Sequence, residues 1–290
     1  MNYYYLLFFL FHSIALYAQS SGNAYGSKYN ADSPITQASF ENDSTLVFTV
    51  KILQNQQPDA QVAIFSVYQV AESIEACDNF LKIRIEKFKN ELQKMGILSD
   101  SVWVDMISQK PIFDYDISRK LFSKTATEVP KGFEARRNIH ILYKNRQSLE
   151  AIISAAAKCE IYDFVKEDVF VNQSDKIWDS LRQMAVELVQ KKQATFQKLI
   201  GNPAIKYQIP SEDFQMVYPQ TRYRRYNANT STHLPYKVSQ VNEIQKSETL
   251  YYEQVSYNFF DKVVNPVVLI PPIQFLYELR LKVVYYPIKP

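Results

Sequence analysis

The segment FDYD places Asp114 and Asp116 two residues apart, with Phe113 and Tyr115 alternating between them. On a strand, residues i and i+2 share a face and hold their carboxylates about 7 Å apart, a separation suited to hydrolytic acid–base work or to a loose calcium site. The same letters describe two solvated acids set between buried aromatics, which is the plainer expectation. His140 shares a predicted strand face with Glu134 and Arg136, so it could move a proton beside a carboxylate; an ordinary surface histidine in a mixed-charge strip fits equally. A third constellation is YPQTRYRRYNANTSTHLPYK, residues 218–237, where Arg222, Arg224 and Arg225 mix with Tyr218, Tyr223 and Tyr226. Arginine for phosphates and tyrosine for base stacking is the single-strand nucleic-acid recipe, yet Tyr/Arg-rich loops also serve protein interfaces. Glu212 and Asp213, after Pro210, read as turn acids.

Nothing else in the chain offers a ready-made centre. After the first helix-length apolar run the histidines are His140 and His233 alone, and HExxH, CxxC and GxSxG do not occur. Only 5 glycines are present, with Gly22 and Gly26 near the start, so Gly96, Gly132 and Gly201 cannot write a P-loop or dinucleotide fingerprint. We therefore expect no catalytic residues, no metal and no cofactor. Lys and Arg total 33 against 30 Asp and Glu, a net charge of +3 that argues against a dedicated nucleic-acid binder. With 47% apolar and 22% charged residues over 290 positions, the composition is globular and excludes a disordered or fibrous chain. The 21 Tyr and 2 Trp, Trp103 and Trp178, could instead offer stacking faces to a cell-wall glycan.

Residues 1–18, MNYYYLLFFLFHSIALYA, form an apolar run of export-signal length with Ala18 placed for cleavage before Gln19. Retention as a membrane anchor is the alternative, but His12 and Ser13 break the run below the ~20 residues a spanning helix needs. Residues 19–42 are rich in Ser, Asn, Gly and Ala and read as a flexible leader. Cys77 and Cys159 fall on two predicted helices in a compartment that permits a bridge; two free, buried thiols are the commoner arrangement.

From 43 to 290 the pattern is one α+β domain with mainly antiparallel sheet, packed by two long helices and one short one. Leu46 to Ile52 alternates with period two, and Gln61 to Gln69 is a second strand after a QNQQPD turn. Ile74, Cys77, Leu81, Phe88, Leu92 and Met95 mark an amphipathic helix closed by Gly96. Val102 to Ile117 reads as extended chain interrupted at Pro111, and Phe133 to Tyr143 as a strand entered through a turn at Gly132. Phe133, Ala135, Ile139, Ile141 and Tyr143 take one face of it, and Glu134, Arg136, Asn138 and His140 the other. A short helix over 149–157, a strand over 161–171 and a long helix over 174–200 follow, the last with a stripe of Ile177, Leu181, Met184, Leu188 and Leu199. Residues 218–246 have no period and read as a long exposed excursion before two closing strands, the last running from Phe275 to Tyr285.

Three stretches in this order, PDAQVAIFSVYQVAESIEACDNFLKIRIEKFKNELQKMGI (58–97), ARRNIHILYKNRQSLEAIISAAA (135–157) and the long helix ending KLIGN (198–202), resemble the SIMPL domain of exported bacterial proteins. The likeness spans roughly 46–286, although Phe48 to Gln54 lacks the glycines that often open the family's first strand, and the 218–246 excursion has no counterpart. The resemblance implies an exported, non-enzymatic α+β protein of the periplasm or cell envelope. It further implies homo-oligomeric assembly or an envelope protein partner, a link to oxidative-stress defence, and no catalytic residues.

Overall fold

The computed structural model of the chain describes residues 38–120, 123–144, 147–201, 204–227 and 248–286; residues 1–18, expected to be an export signal, and 19–37, expected to be a leader, lie outside the described residues. These residues divide into a large unit, 38–221 with 255–286, and a small one, 222–254. In chain order the elements are β1 (Ala38–Asn42), β2 (Thr45–Gln56), β3 (Ala60–Ala71), α1 (Ile74–Lys94), β4 (Val102–Lys120), β5 (Ser123–Tyr143), α2 (Gln147–Lys158), β6 (Asp163–Phe170), α3 (Ser174–Ile200) and β7 (Ile205–Val217). They continue with β8 (Tyr223–Asn227) and β9 (Glu248–Tyr252) in the small unit, then β10 (Lys262–Val264) and β11 (Ile273–Tyr285). The class is α+β, with three α-helices and sheets that are antiparallel except where β10 lies parallel to β2.

One sheet has the order β4-β5-β3-β6. Since β3 and β4 both run antiparallel to β5, β3-α1-β4 is a split βαβ unit, and β5-α2-β6 is a second one interlocked with it. This is the ferredoxin-like βαββαβ arrangement. Its core forms because β3 and β5 alternate: Ala63, Phe65 and Val67 with Ala135, Ile139 and Ile141 are buried against Cys77, Leu81, Ile85, Phe88 and Leu92 of α1 and Ile152 and Ala156 of α2. The hydroxyl of Ser73 caps α1 by accepting from the N–H of Ala76 at 3.1 Å. The far end closes with N–H donation from Gly96 to the Gln93 carbonyl and from Ile97 to the Leu92 carbonyl, each at 3.0 Å, a Schellman motif.

The second sheet has the order β1-β2-β11-β7, with β10 also against β2, and α3 covers one face of it. Leu181, Ala185 and Val189 are buried there against Phe48, Val50, Phe275 and Tyr277, and Trp178 sets its ring against Phe275 and Phe214. The apolar row of α3 continues through Phe196 and Ile200; Leu199, expected within it, is 76% exposed. The outer edge of β2 is closed along its length. β1 pairs with it at the start and β10 near its end. Between them Lys192 donates to the Thr49 carbonyl at 2.6 Å, while Asp261 exchanges hydrogen bonds of 2.8 Å with the Lys51 backbone. Lys192 and Asp261 pair at 2.6 Å.

Four expectations change. Ala38–Asn42, assigned to the flexible leader, pairs with β2 as β1. The strand containing Pro111 is unbroken: β4 is an edge strand, where Pro is tolerated, and its register shifts come at Met106/Ser108 and Ile112/Phe113. Gly132 makes no turn but lies inside β5, paired with Ile112, at φ 140°. Residues 218–246 are not all loop, since β8 pairs with β9; positions 228–247 lie outside the described residues.

A β-carbon added at Gly132 would lie 2.6 Å from the Ala71 carbonyl oxygen, whereas one at Gly96 meets nothing within 4 Å. Gly132→Ala should therefore cost about 2–4 kcal/mol in urea denaturation, and Gly96→Ala about 1 kcal/mol for its positive φ alone. Equal costs would contradict the close approach at Ala71.

Candidate functional site

The alternation that buries one face of β5 leaves Glu134, Arg136, Asn138 and His140 on the face turned away from α1 and α2. His140 stands in one rung with Trp103 of β4 and Ile64 of β3. Its ring meets the Trp103 indole at 5.0 Å between centroids, and Trp103 is 59% exposed. The Nε2 of His140 is buried with no hydrogen-bond partner. Glu134 is held instead by Arg136 at 3.9 Å and Lys110 at 4.0 Å, so the carboxylate expected beside His140 is occupied elsewhere on the strand. Arg136 in turn lies over the Tyr68 ring at 5.7 Å.

Asp114 belongs to a different place. β3 stops at Ala71 opposite Phe133, but β4 and β5 go on pairing to Lys120 and Ser123. Residues 112–120 and 123–132 are therefore a two-stranded ribbon, paired among the described residues only with itself. On one ribbon face Phe113 opposes Pro130 and Tyr115 opposes Glu128, whose carboxylate accepts from the Tyr115 hydroxyl at 3.1 Å. Phe113 and Tyr115, expected to be buried, are 51% and 61% exposed, because β3 no longer backs the pair. On the other face Asp114 opposes Val129 and bonds Lys131 at 2.8 Å.

That hydrogen bond from Lys131, and the one from the Tyr115 backbone, hold the Asp114 carboxyl below its ordinary range, the wrong direction for a general acid at neutral pH. Asp116 opposes Thr127, and its side chain lies outside the described residues. Asp114 is eleven residues beyond Trp103 along β4, roughly 35 Å from the His140 rung, so the acids and the histidine do not converge.

The Tyr/Arg segment is likewise divided. Tyr218 belongs to the large unit, while Arg222 to Tyr226 belong to the small one. In the small unit the Tyr223 and Tyr252 rings meet at 5.9 Å, Arg224 pairs with Glu253 at 2.8 Å, and the Glu253 N–H donates to the Arg222 carbonyl at 3.0 Å. Strand alternation sets Tyr223 and Arg225 on one face and Arg224 and Tyr226 on the other. A continuous Arg/Tyr stacking platform does not form from these residues.

Cys77 and Cys159 are both free and buried; the Cys77 thiol donates to the Phe133 carbonyl at 3.2 Å, and burial pushes the Cys159 thiol up. Among the described residues no group of three or more His, Cys, Asp or Glu could hold a metal ion, and no helix is long and apolar enough to cross a membrane.

The sequence reading missed one cluster. Glu212, read as a turn acid, sits inside β7 opposite Leu279 and accepts from the Tyr277 hydroxyl at 2.7 Å and from Arg182 of α3 at 2.9 and 3.1 Å. Pro210 lies inside this strand. No protein-family model and no curated protein matches the chain.

Hydrogen bonds from Arg182 first, and from Tyr277, hold the Glu212 carboxyl below its ordinary value of 4.5. A carboxyl depressed by folding contributes stability above its unfolded value and loses it as pH falls through the folded one. Glu212→Gln should thus lower the urea midpoint at pH 7, and its gap from the parent should close as pH drops below 4.5. A gap of unchanged size in acid would show that the charge plays no part.

Proposed function

We propose that the chain is an exported, non-enzymatic envelope protein of SIMPL type that works by assembling with copies of itself or by binding an envelope partner. The reading is supported by the resemblance over 58–97, 135–157 and 198–202. The observation that carries the assembly reading is the β4–β5 ribbon. A two-stranded hairpin alone is marginal in water, and this one presents Phe113 and Tyr115 to solvent on one face and Val129 on the other, while among the described residues neither strand has a further neighbour past Gly132. Covering that surface with a second protein surface removes apolar area from water, and a second copy offers the same ribbon in a closed, symmetric arrangement. A part in stress defence and a location in the periplasm or cell envelope belong to the same reading and rest on the resemblance and on residues 1–18.

One observation favours a second reading, a module for cell-wall glycan: Trp103 keeps an exposed ring face backed by His140. None favours a hydrolase or lyase built on Asp114, Asp116 and His140.

Light scattering on the purified chain across a concentration series should give a discrete multiple of the 33.9 kDa mass calculated for all 290 residues, or of the shorter mass left by signal removal. The double variant Phe113→Ser, Tyr115→Ser should fall to monomer with an unchanged circular dichroism spectrum, since both side chains lie outside the core. A parent protein that is monomeric throughout, with no partner recovered, would overturn the assembly reading.

A further inference from the structure

Gln61 of β3 stands in one cross-strand rung with Tyr143 of β5 and Val169 of β6. The three side chains share a face of the sheet, and Gln61 is only 6% exposed. Its Oε1 is buried with no hydrogen-bond partner. An amide oxygen withdrawn from water in this way is costly unless a donor reaches it.

Gln61 lines a cavity of about 240 Å³ whose wall carries charge of both signs. Glu167, two residues before Val169 and on the same face of β6, is half-buried, and its carboxylate accepts from the Tyr143 hydroxyl. Lys144, directly after Tyr143, lines the cavity from the other strand and pairs with no acid among the described residues. The two opposite charges thus face one space without meeting. Pro58, Val169 and Ile270 make another part of the wall apolar. Both sides are held before any ligand arrives, since the Gln57 side chain donates to the Ile270 carbonyl at 3.4 Å and the Glu167 carbonyl accepts from Gln220 at 2.6 Å.

We propose that this cavity binds a free α-amino acid with an aliphatic side chain. Its ammonium donates to Gln61 Oε1 and to the Glu167 carboxylate, its carboxylate takes Lys144, and its side chain lies along Pro58, Val169 and Ile270. Each group on the wall then meets its complement, and the buried amide oxygen gains the donor it lacks. Ions of a single sign fit worse: a bare cation would face Lys144, and a bare anion Glu167. The volume exceeds the ~150 Å³ that admits benzene, so a body of leucine size can enter. The cavity shares no residue with the β4–β5 ribbon and does not depend on the assembly reading.

Titration calorimetry of the full chain with L-leucine tests this. Leucine should bind at one site. N-acetylleucine, which loses the ammonium, and leucinamide, which loses the carboxylate, should each bind about tenfold or more weakly. Lys144→Gln, at an exposed position, should weaken leucine by a similar factor and leave leucinamide unchanged. Gln61→Leu, apolar and close in size, should weaken both compounds with the circular dichroism spectrum unchanged. No heat with leucine, equal binding of leucine and N-acetylleucine, or a leucine affinity indifferent to Lys144→Gln would each overturn the proposal.

Discussion

The passage of Gly132 over the Ala71 carbonyl is the constraint on which the large unit turns. At Ala71 the chain leaves the sheet for the Ser73 cap of α1, while β5 must pass the same spot on its way to pairing with β4 alone. No side chain fits there, and the φ of 140° at Gly132 lies where glycine is at home. On one side of this point β5 is backed by β3 and buries Ala135, Ile139 and Ile141 beneath two helices. On the other side the same strand has a single neighbour, and Phe113, Tyr115 and Val129 stand in water. Core and ribbon are thus two halves of one hairpin, divided where β3 ends.

The edge of the second sheet at β2 is treated differently from β4, β6 and β7, each of which ends its sheet among the described residues. Along β2, the strand β1, then Lys192 and Asp261, then β10 satisfy the outer backbone groups in succession. Even the middle of that edge, too short for another strand, is closed by a buried ion pair with side-chain exposures of 17% and 8%. Open edges invite pairing with other chains, and proteins that need to stay apart cover them. On the proposed reading the ribbon, with Phe113 and Tyr115 exposed, is the contact surface.

The helices and the last strand were legible in the sequence because each has one wet and one dry face. The rows on α1 and α3 and the alternation from Phe275 to Tyr285 mark their own burial. The ribbon was not legible for the opposite reason. With no buried face its aromatics look like core, so FDYD read as acids between buried rings, Pro111 as a break and Gly132 as a turn. Pairing partners are remote in the chain, and no local pattern shows that β3 stops while β5 continues. Beside Pro210, Glu212 and Asp213 read as turn acids, whereas one anchors α3 and the other faces Glu278 across the sheet. Of the proposed chemistry, the separation of Asp114 from His140 could be seen only once the register of β4 on β5 was known.

The most direct measurement is hydrogen exchange of the ribbon amides, 112–120 and 123–132, followed as a function of protein concentration, with the β3–β5 core as internal reference. If the ribbon is an assembly surface, its protection rises with concentration while that of Ala63 to Val67 and Ile139 to Ile141 stays constant. Fast exchange of the ribbon at every concentration, or protection that ignores concentration, would contradict it.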